Sequence, residues 1–275
     1  MRSIRSKIIL MIALVSIVVA AAVGFILYLG GQQEIMSIAE DQLTKLAERG
    51  AQAIFAGNEY YLSNLESMAQ NSILTDNGPK EKLVAYLDEQ AKRLGFQTLG
   101  IVQPDGVGIV NDGSTLSVAD REWFQSAIAG NRTISDVLIS RVNNLPIINY
   151  VVPVYRNDKI VAVLRGACDA DILTKESSPF AFGENGYAYI MNEKGVLIAH
   201  PNYDYVLNGY SVIEDAKTNK DYRGLADIME NQMMRGESGV ERYYFDGAER
   251  IMSFAPIPGT GWSLASAWTP GPSPA

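Results

Sequence analysis

Between Ile8 and Gly30 the chain carries no charged residue, and Arg2, Arg5 and Lys7 stand just before that run. A bilayer core of about 30 Å needs roughly 20 apolar residues at about 1.5 Å each, so residues 8–30 are long enough to form a transmembrane helix. The basic flank predicts residues 1–7 in the cytoplasm and the chain after Gly30 outside it, anchored at the cell membrane. A cleaved leader is the alternative, because Ala20-Ala21-Ala22 offers small residues, but the apolar part of a leader is usually only about 7–15 residues long.

From Gln32 to about Leu74 apolar residues return at helical spacing, among them Leu43, Leu46, Ile54, Phe55, Leu62, Leu65 and Met68, with no proline between them. The pattern predicts a stalk helix over residues 31–75, weakest at Gly50 and Gly57. Such a helix would run on the order of 60 Å, enough to carry two small domains, and its alternation of threes and fours also suits the seam of a homodimer.

The rest of the 275 residues, 47% of the whole hydrophobic, suffices for more than one core. One Cys excludes an intrachain disulfide, one His excludes a His-cluster metal site, and no Asp-rich loop has calcium spacing, so no cofactor or metal is expected. A net charge of −8, more negative once the three N-terminal cations are set aside, argues against nucleic acid as a partner.

Residues 76–175 read as a first α+β unit. Asn77-Gly78-Pro79 breaks the stalk and a helix follows over Lys80–Leu94; Phe96–Val102 and Val107–Val110 flank the turn Pro104-Asp105-Gly106 as strands. A helix is predicted over Ser117–Gly130, then a long hairpin of Ile147–Tyr155 and Lys159–Ala167 joined at Arg156-Asn157-Asp158. Ser177-Ser178-Pro179 marks a joint. Residues 176–267 repeat the logic more briefly, with strands at Gly186–Met191, Val196–Ala199, Gly239–Phe245, Arg250–Pro256 and Trp262–Ala265 around a loop-and-helix segment; 268–275 form a Pro-rich tail.

A helix that presents Arg121, Trp123 and Phe124 over a sheet whose far end holds Asp169 and Asp171 would put a cation, an aromatic wall and an anion around one small space, the form of a pocket for a small polar molecule. Arg141, Asn149 and Tyr150 belong to the same region; because side chains alternate along a strand, Asn149 and Tyr150 are expected on opposite faces. His200 and Cys168 have no nucleophile, base or metal context around them, and no catalytic residue is expected.

The order of an apolar anchor, a long helix, Asp120-Arg121-Glu122-Trp123-Phe124, Pro153-Val154, Gly186-Tyr187-Ala188-Tyr189, Ala199-His200-Pro201 and Ala255-Pro256-Ile257-Pro258-Gly259-Thr260-Gly261-Trp262 resembles the double Cache sensor domain of bacterial and archaeal chemoreceptors, sensor kinases and cyclic-dinucleotide signalling proteins. The resemblance implies two tandem PAS-like lobes on one helix, usually dimeric and not enzymatic, the membrane-distal lobe holding a small molecule and the proximal lobe passing the change on by helix movement. Amino-acid-binding members resemble this chain at Arg121, Trp123, Phe124 and Asp171, where Arg grips the carboxylate and Asp the ammonium. The chain departs from that pattern in Leu116, Leu138 and Ser140, where the supporting tyrosines and acid would stand. The ligand class therefore stays open among amino acids, carboxylates, purines and amines. The alternatives are a structural dimerisation module without ligand and an exported hydrolase. The chain reads as a piece of a longer receptor, its output unstated.

Overall fold

The computed structural model describes residues 40–75, 78–141, 145–183 and 185–269. The apolar run 8–30 and the tail from 270 lie outside the described residues, and among those described no helix is long and apolar enough to cross a membrane.

Residues 40–69 form one helix, α1, about 45 Å long at about 1.5 Å per residue. Leu43, Ala47, Ala51, Ile54, Asn58, Leu62, Leu65 and Ala69 are buried on it, three or four residues apart, so a single stripe faces inward. The small residues on that stripe let both lobes approach. A Cβ on Gly50 would meet Leu264 Cδ2 and Phe180 Cγ at 2.8 Å, and one on Gly57 would meet Glu176 Oε2 at 2.9 Å. The two glycines are therefore contact points, and the loss in helix propensity is offset by packing. The α-helix stops at residue 69, short of the expected end, and Ser72–Leu74 continue as a 3-10 turn whose first residues are capped by Asn71 accepting from Ile73 N at 3.1 Å.

After α2 (Lys80–Leu94), which closes on Gly95 in the left-handed region, the distal lobe lays out β1 (Thr98–Val102), β2 (Val107–Val110), β3 (Thr115–Ser117), α3 (Glu122–Ile128), β4 (Thr133–Ile134), β5 (Leu138–Ile139), β6 (Pro146–Arg156) and β7 (Lys159–Asp169). The sheet is antiparallel in the order β3-β2-β1-β7-β6-β4, with β5 on β6. The β6–β7 turn has Asn157 and Asp158 at φ 50° and 60°, the type I′ geometry whose twist suits a two-residue hairpin. Alternation then divides the hairpin. Ile148, Tyr150, Val152, Ala162, Leu164 and Cys168 pack toward α1, whereas Val151 and Val163 pack with Trp123 and Phe124 of α3 on the other face.

Two expectations in this lobe are corrected. The helix read over Ser117–Gly130 shrinks to Glu122–Ile128, because Thr115–Ser117 pair with β2 as an edge strand and Val118 N bonds Gly106 O at 2.9 Å. Asp171 does not end a strand: it opens α4 (Asp171–Ser177), its N–H bonded to Asp169 Oδ1 at 2.9 Å.

The proximal lobe contains β8 (Tyr187–Met191), β9 (Leu197–Ala199), α5 (Tyr203–Leu207), α6 (Val212–Ala216), α7 (Arg223–Asn231), β10 (Gly239–Phe245), β11 (Ala248–Pro256) and β12 (Ser263–Trp268), in an antiparallel sheet ordered β10-β11-β12-β8-β9. Ile190, Ile198, Ala255 and Leu264 join the same core as α1 and the distal sheet, so one continuous apolar cluster holds both lobes to the helix. The opposite face packs Tyr189, Met252 and Phe254 against α7 in a core of its own.

Candidate functional site

Two cavities meet at the N-terminus of α3. Arg121 is the cap residue of that helix, extended at φ −84° and ψ 131°, and its carbonyl accepts from Phe124 N at 3.0 Å. That backbone frees its side chain to line both cavities, and Trp123 lines both as well.

The larger space, about 680 Å³, is an open cleft between α1, the distal lobe and the Pro258–Trp262 loop of the proximal lobe. Its walls carry both signs of charge and several are already paired: Arg132 with Glu59 at 2.8 Å, and Lys194 with Asp136 at 3.3 Å across the lobes.

The smaller space, about 350 Å³, lies under α3 and β3 against the outer face of β6 and β7. Leu116, Val118, Leu138 and Ile147 supply its apolar wall; Arg121, Trp123, Asn149 and Arg165 supply the polar groups. Arg165 is the unusual member. It stands on a central strand, opposite Gly100 on one side and Val151 on the other, and is 4% exposed. Its Nε donates to Asn149 Oδ1 at 2.6 Å, and among the described residues its guanidinium has no other hydrogen bond and no ion pair. Asn149 is itself clamped, since its N and Nδ2 donate to Ser135 Oγ at 2.9 and 3.2 Å. Burial, with the Arg121 guanidinium nearby, draws the Arg165 pKa down to about 10, which still leaves it cationic at neutral pH. Trp123, 6% exposed, has its indole N–H without a partner among the described residues.

The other residues read from the sequence fall in different places. Arg141 forks onto Asp120, with 2.9 and 2.6 Å contacts, and also reaches Ser117 O at 3.2 Å, so it forms a rim of the smaller cavity. That hydrogen bonding holds the exposed Asp120 carboxyl down to about 2. Phe124, 2% exposed, is core beneath α3. Tyr150 faces α1: its hydroxyl donates to Asn58 Oδ1 at 3.0 Å and its ring stacks on Tyr61 at 4.7 Å. Asn149 faces the cavity.

Asp169 and Asp171 line neither cavity. Asp171 pairs with Lys175 at 2.9 Å, and Asp169 accepts from Gln97 Nε2 at 3.3 Å and Tyr203 Oη at 3.4 Å, tying the sheet end to the proximal lobe. The cation and the aromatic wall come together as read; the anion does not join them. Sequence reasoning missed Arg165, although the signal was there: a lone charge inside the run Ile160–Ala167, two positions from Val163, which packs under α3. Among the described residues no group of His, Cys, Asp and Glu is placed to hold a metal.

Two antiparallel lobes on one helix, the distal one hollowed beneath a short helix, define a Cache domain. The family's sequence profile matches residues 32–269, and the chain belongs to that family, a ligand-binding sensor module and not an enzyme. Among curated proteins it is similar to the methyl-accepting chemotaxis proteins PctB of Pseudomonas aeruginosa, 27% identical over 264 residues, and McpG of Pseudomonas putida, 26% identical over 234 residues. Those matches cover 92% and 81% of this chain but only 38% and 34% of the relatives' own length. Among solved structures it resembles the ligand-binding domain of the Pseudomonas fluorescens chemoreceptor CtaA in complex with L-serine, with TM-score 0.68, 18% identity and coverage of 85% of this chain and 98% of that one. It also resembles the PctB ligand-binding domain in complex with L-Arg, with TM-score 0.67, 21% identity and coverage of 84% and 95%.

Proposed function

We propose that this chain is the extracytoplasmic sensor region of a chemotaxis-type receptor and that it takes a small carboxylate-bearing molecule into the distal-lobe cavity beneath α3. The observation that carries the reading is the pair of guanidiniums, Arg121 and the buried Arg165, lining that cavity with no carboxylate among its described lining residues. A buried cation is costly unless paired, and a guanidinium fork matches a carboxylate with two parallel hydrogen bonds. The similar receptors and the ligand-bound neighbours support the receptor reading, and an amino-acid ligand is the reading they favour within it.

In this account residues 8–30 anchor the chain, α1 pairs in a homodimer, and ligand binding shifts the population of two α1 arrangements held by the common core of both lobes. The test is a thermal-shift screen of the chain in lipid nanodiscs against amino acids, carboxylates, purines and amines. A ligand at about 100 times its Kd adds about 2.7 kcal/mol of stability. The expected hit carries a carboxylate and is weakened by Arg121→Ala; stabilisation by none of these classes would refute the receptor reading.

A further inference from the structure

The cavity under α3 holds more uncompensated positive charge than one carboxylate neutralises. Arg165 is buried on the sheet floor, Arg121 looks in from the helix cap, and among the described residues no carboxylate lines the space. Asp120, just before α3, is gripped by both arms of Arg141 and feels the Arg121 charge only as a smaller influence. Asp169 and Asp171, the acids at the end of the hairpin, are engaged with Gln97, Tyr203 and Lys175. A zwitterion would bring its ammonium into this field with no carboxylate among the described lining residues to pair with it, and beside buried guanidiniums like charges repel. Trp123 Nε1, without a partner among the described residues, also asks for an acceptor.

We infer that the cavity is built for a small organic dianion without an ammonium group, a dicarboxylate of four or five carbons, with one carboxylate on Arg121 and the second on Arg165. Asn149, held by Ser135, fixes the tilt of the Arg165 fork through the 2.6 Å bond to Nε and leaves its outer edge for the ligand. A space of about 350 Å³ admits such a molecule with the aliphatic wall against its methylenes. The inference rests on the receptor reading above and narrows it.

Calorimetric titration of the chain in nanodiscs with succinate, L-aspartate, L-serine and propionate tests it. L-aspartate has succinate's two carboxylates plus an ammonium, so the pair isolates that one group. Succinate is expected to bind at least about tenfold tighter than L-aspartate and than propionate, the difference a misplaced or missing charge imposes beside a buried guanidinium. Arg165→Met is expected to weaken succinate at least about 30-fold, to leave propionate within about threefold through Arg121, and to keep the melting temperature at or above that of the parent. Arg165→Lys, which keeps the charge but loses the fork, is expected to fall between them. Tighter binding of L-aspartate or L-serine than of succinate, or a succinate affinity indifferent to Arg165→Met, overturns the dianion clamp while leaving the receptor reading in place. Absence of binding by every probe here and in the wider screen overturns both.

Discussion

In the proximal lobe Arg250, on the sheet face turned away from α1, donates from Nη1 to Tyr187 Oη at 2.9 Å and lies over the Tyr187 and Phe245 rings, 5.8 and 5.5 Å from their centroids. In the distal lobe Arg165 occupies the corresponding side of its sheet with one amide oxygen as its hydrogen-bond partner among the described residues. The surrounding core differs in the same sense: Tyr189, Met252, Phe254 and Met229 close over the proximal sheet and leave a cavity of about 190 Å³ walled largely by rings, while the distal sheet stops at a cavity of about 350 Å³. The two lobes share an architecture and a helix. Arg250 commits one arm to Tyr187 and lies over two rings, although its buried Nε has no partner among the described residues, whereas Arg165 has an amide oxygen alone.

The largest effects should come from what the lobes share. Leu164 on β7 and Leu264 on β12 are both fully buried in the cluster built on α1. Each Leu→Ala change is expected to cost about 2–5 kcal/mol, and because the core is continuous each should lower one common urea midpoint. Two separated transitions, only one of them moved, would mean the lobes fold independently.

The arginines should then diverge in sign. Without ligand, Arg165→Met removes an unpaired buried charge and is expected to stabilise the chain by about 1–3 kcal/mol. Arg250→Met removes a hydrogen bond and two cation–ring contacts and is expected to destabilise it by about 1–2 kcal/mol. Equal signs in a denaturant series would erase the contrast. The glycines of α1 sharpen it further at the backbone. Gly50→Val drives a side chain into Leu264 and Phe180 and is expected to cost about 1–3 kcal/mol, whereas Gly57→Ala meets only the swinging end of Glu176 and should stay within about 1 kcal/mol of the parent.

The smallest effect is set by His200, on the wall of the proximal cavity, whose pKa burial holds below its ordinary 6.5. The unfolded chain takes up that proton first, so this contribution is intact above pH 6.5 and is lost as the pH falls below it. Urea midpoints at neutral and mildly acidic pH should show the loss, and His200→Gln should reduce it.

Periodicity made the larger elements legible: α2 runs over Lys80–Leu94 as its spacing indicates, and the hairpins turn at Asn157-Asp158 and Asp246-Gly247, where φ is positive. What the pattern hid were elements too short to have a period. Thr115–Ser117, Thr133–Ile134 and Leu138–Ile139 are strands only because a neighbouring strand offers an edge, and the first of them shortened α3 and turned Arg121 into its cap. The site was half legible for the same reason. Arg121 and Trp123 announce themselves in a local motif, whereas the role of Arg165 depends on which face of β7 looks at α3, a fact of register with β6 and β1. Asp169 and Asp171 sit close in sequence to the sheet's end, and only the start of α4 reveals that they turn toward Lys175 and the proximal lobe.

The measurement that bears most directly on the distal cavity as the ligand site is the indole N–H spectrum of the 15N-labelled chain, titrated with the tightest ligand from the screen. The sequence has three tryptophans, and only Trp123 lines the cavity under α3, while Trp262 lines the open cleft and Trp268 lines neither. Gaining an acceptor should move the Trp123 Nε1–H resonance downfield and leave those of Trp262 and Trp268 in place. A shift at Trp262 with Trp123 unmoved would put the ligand outside the cavity and contradict the account.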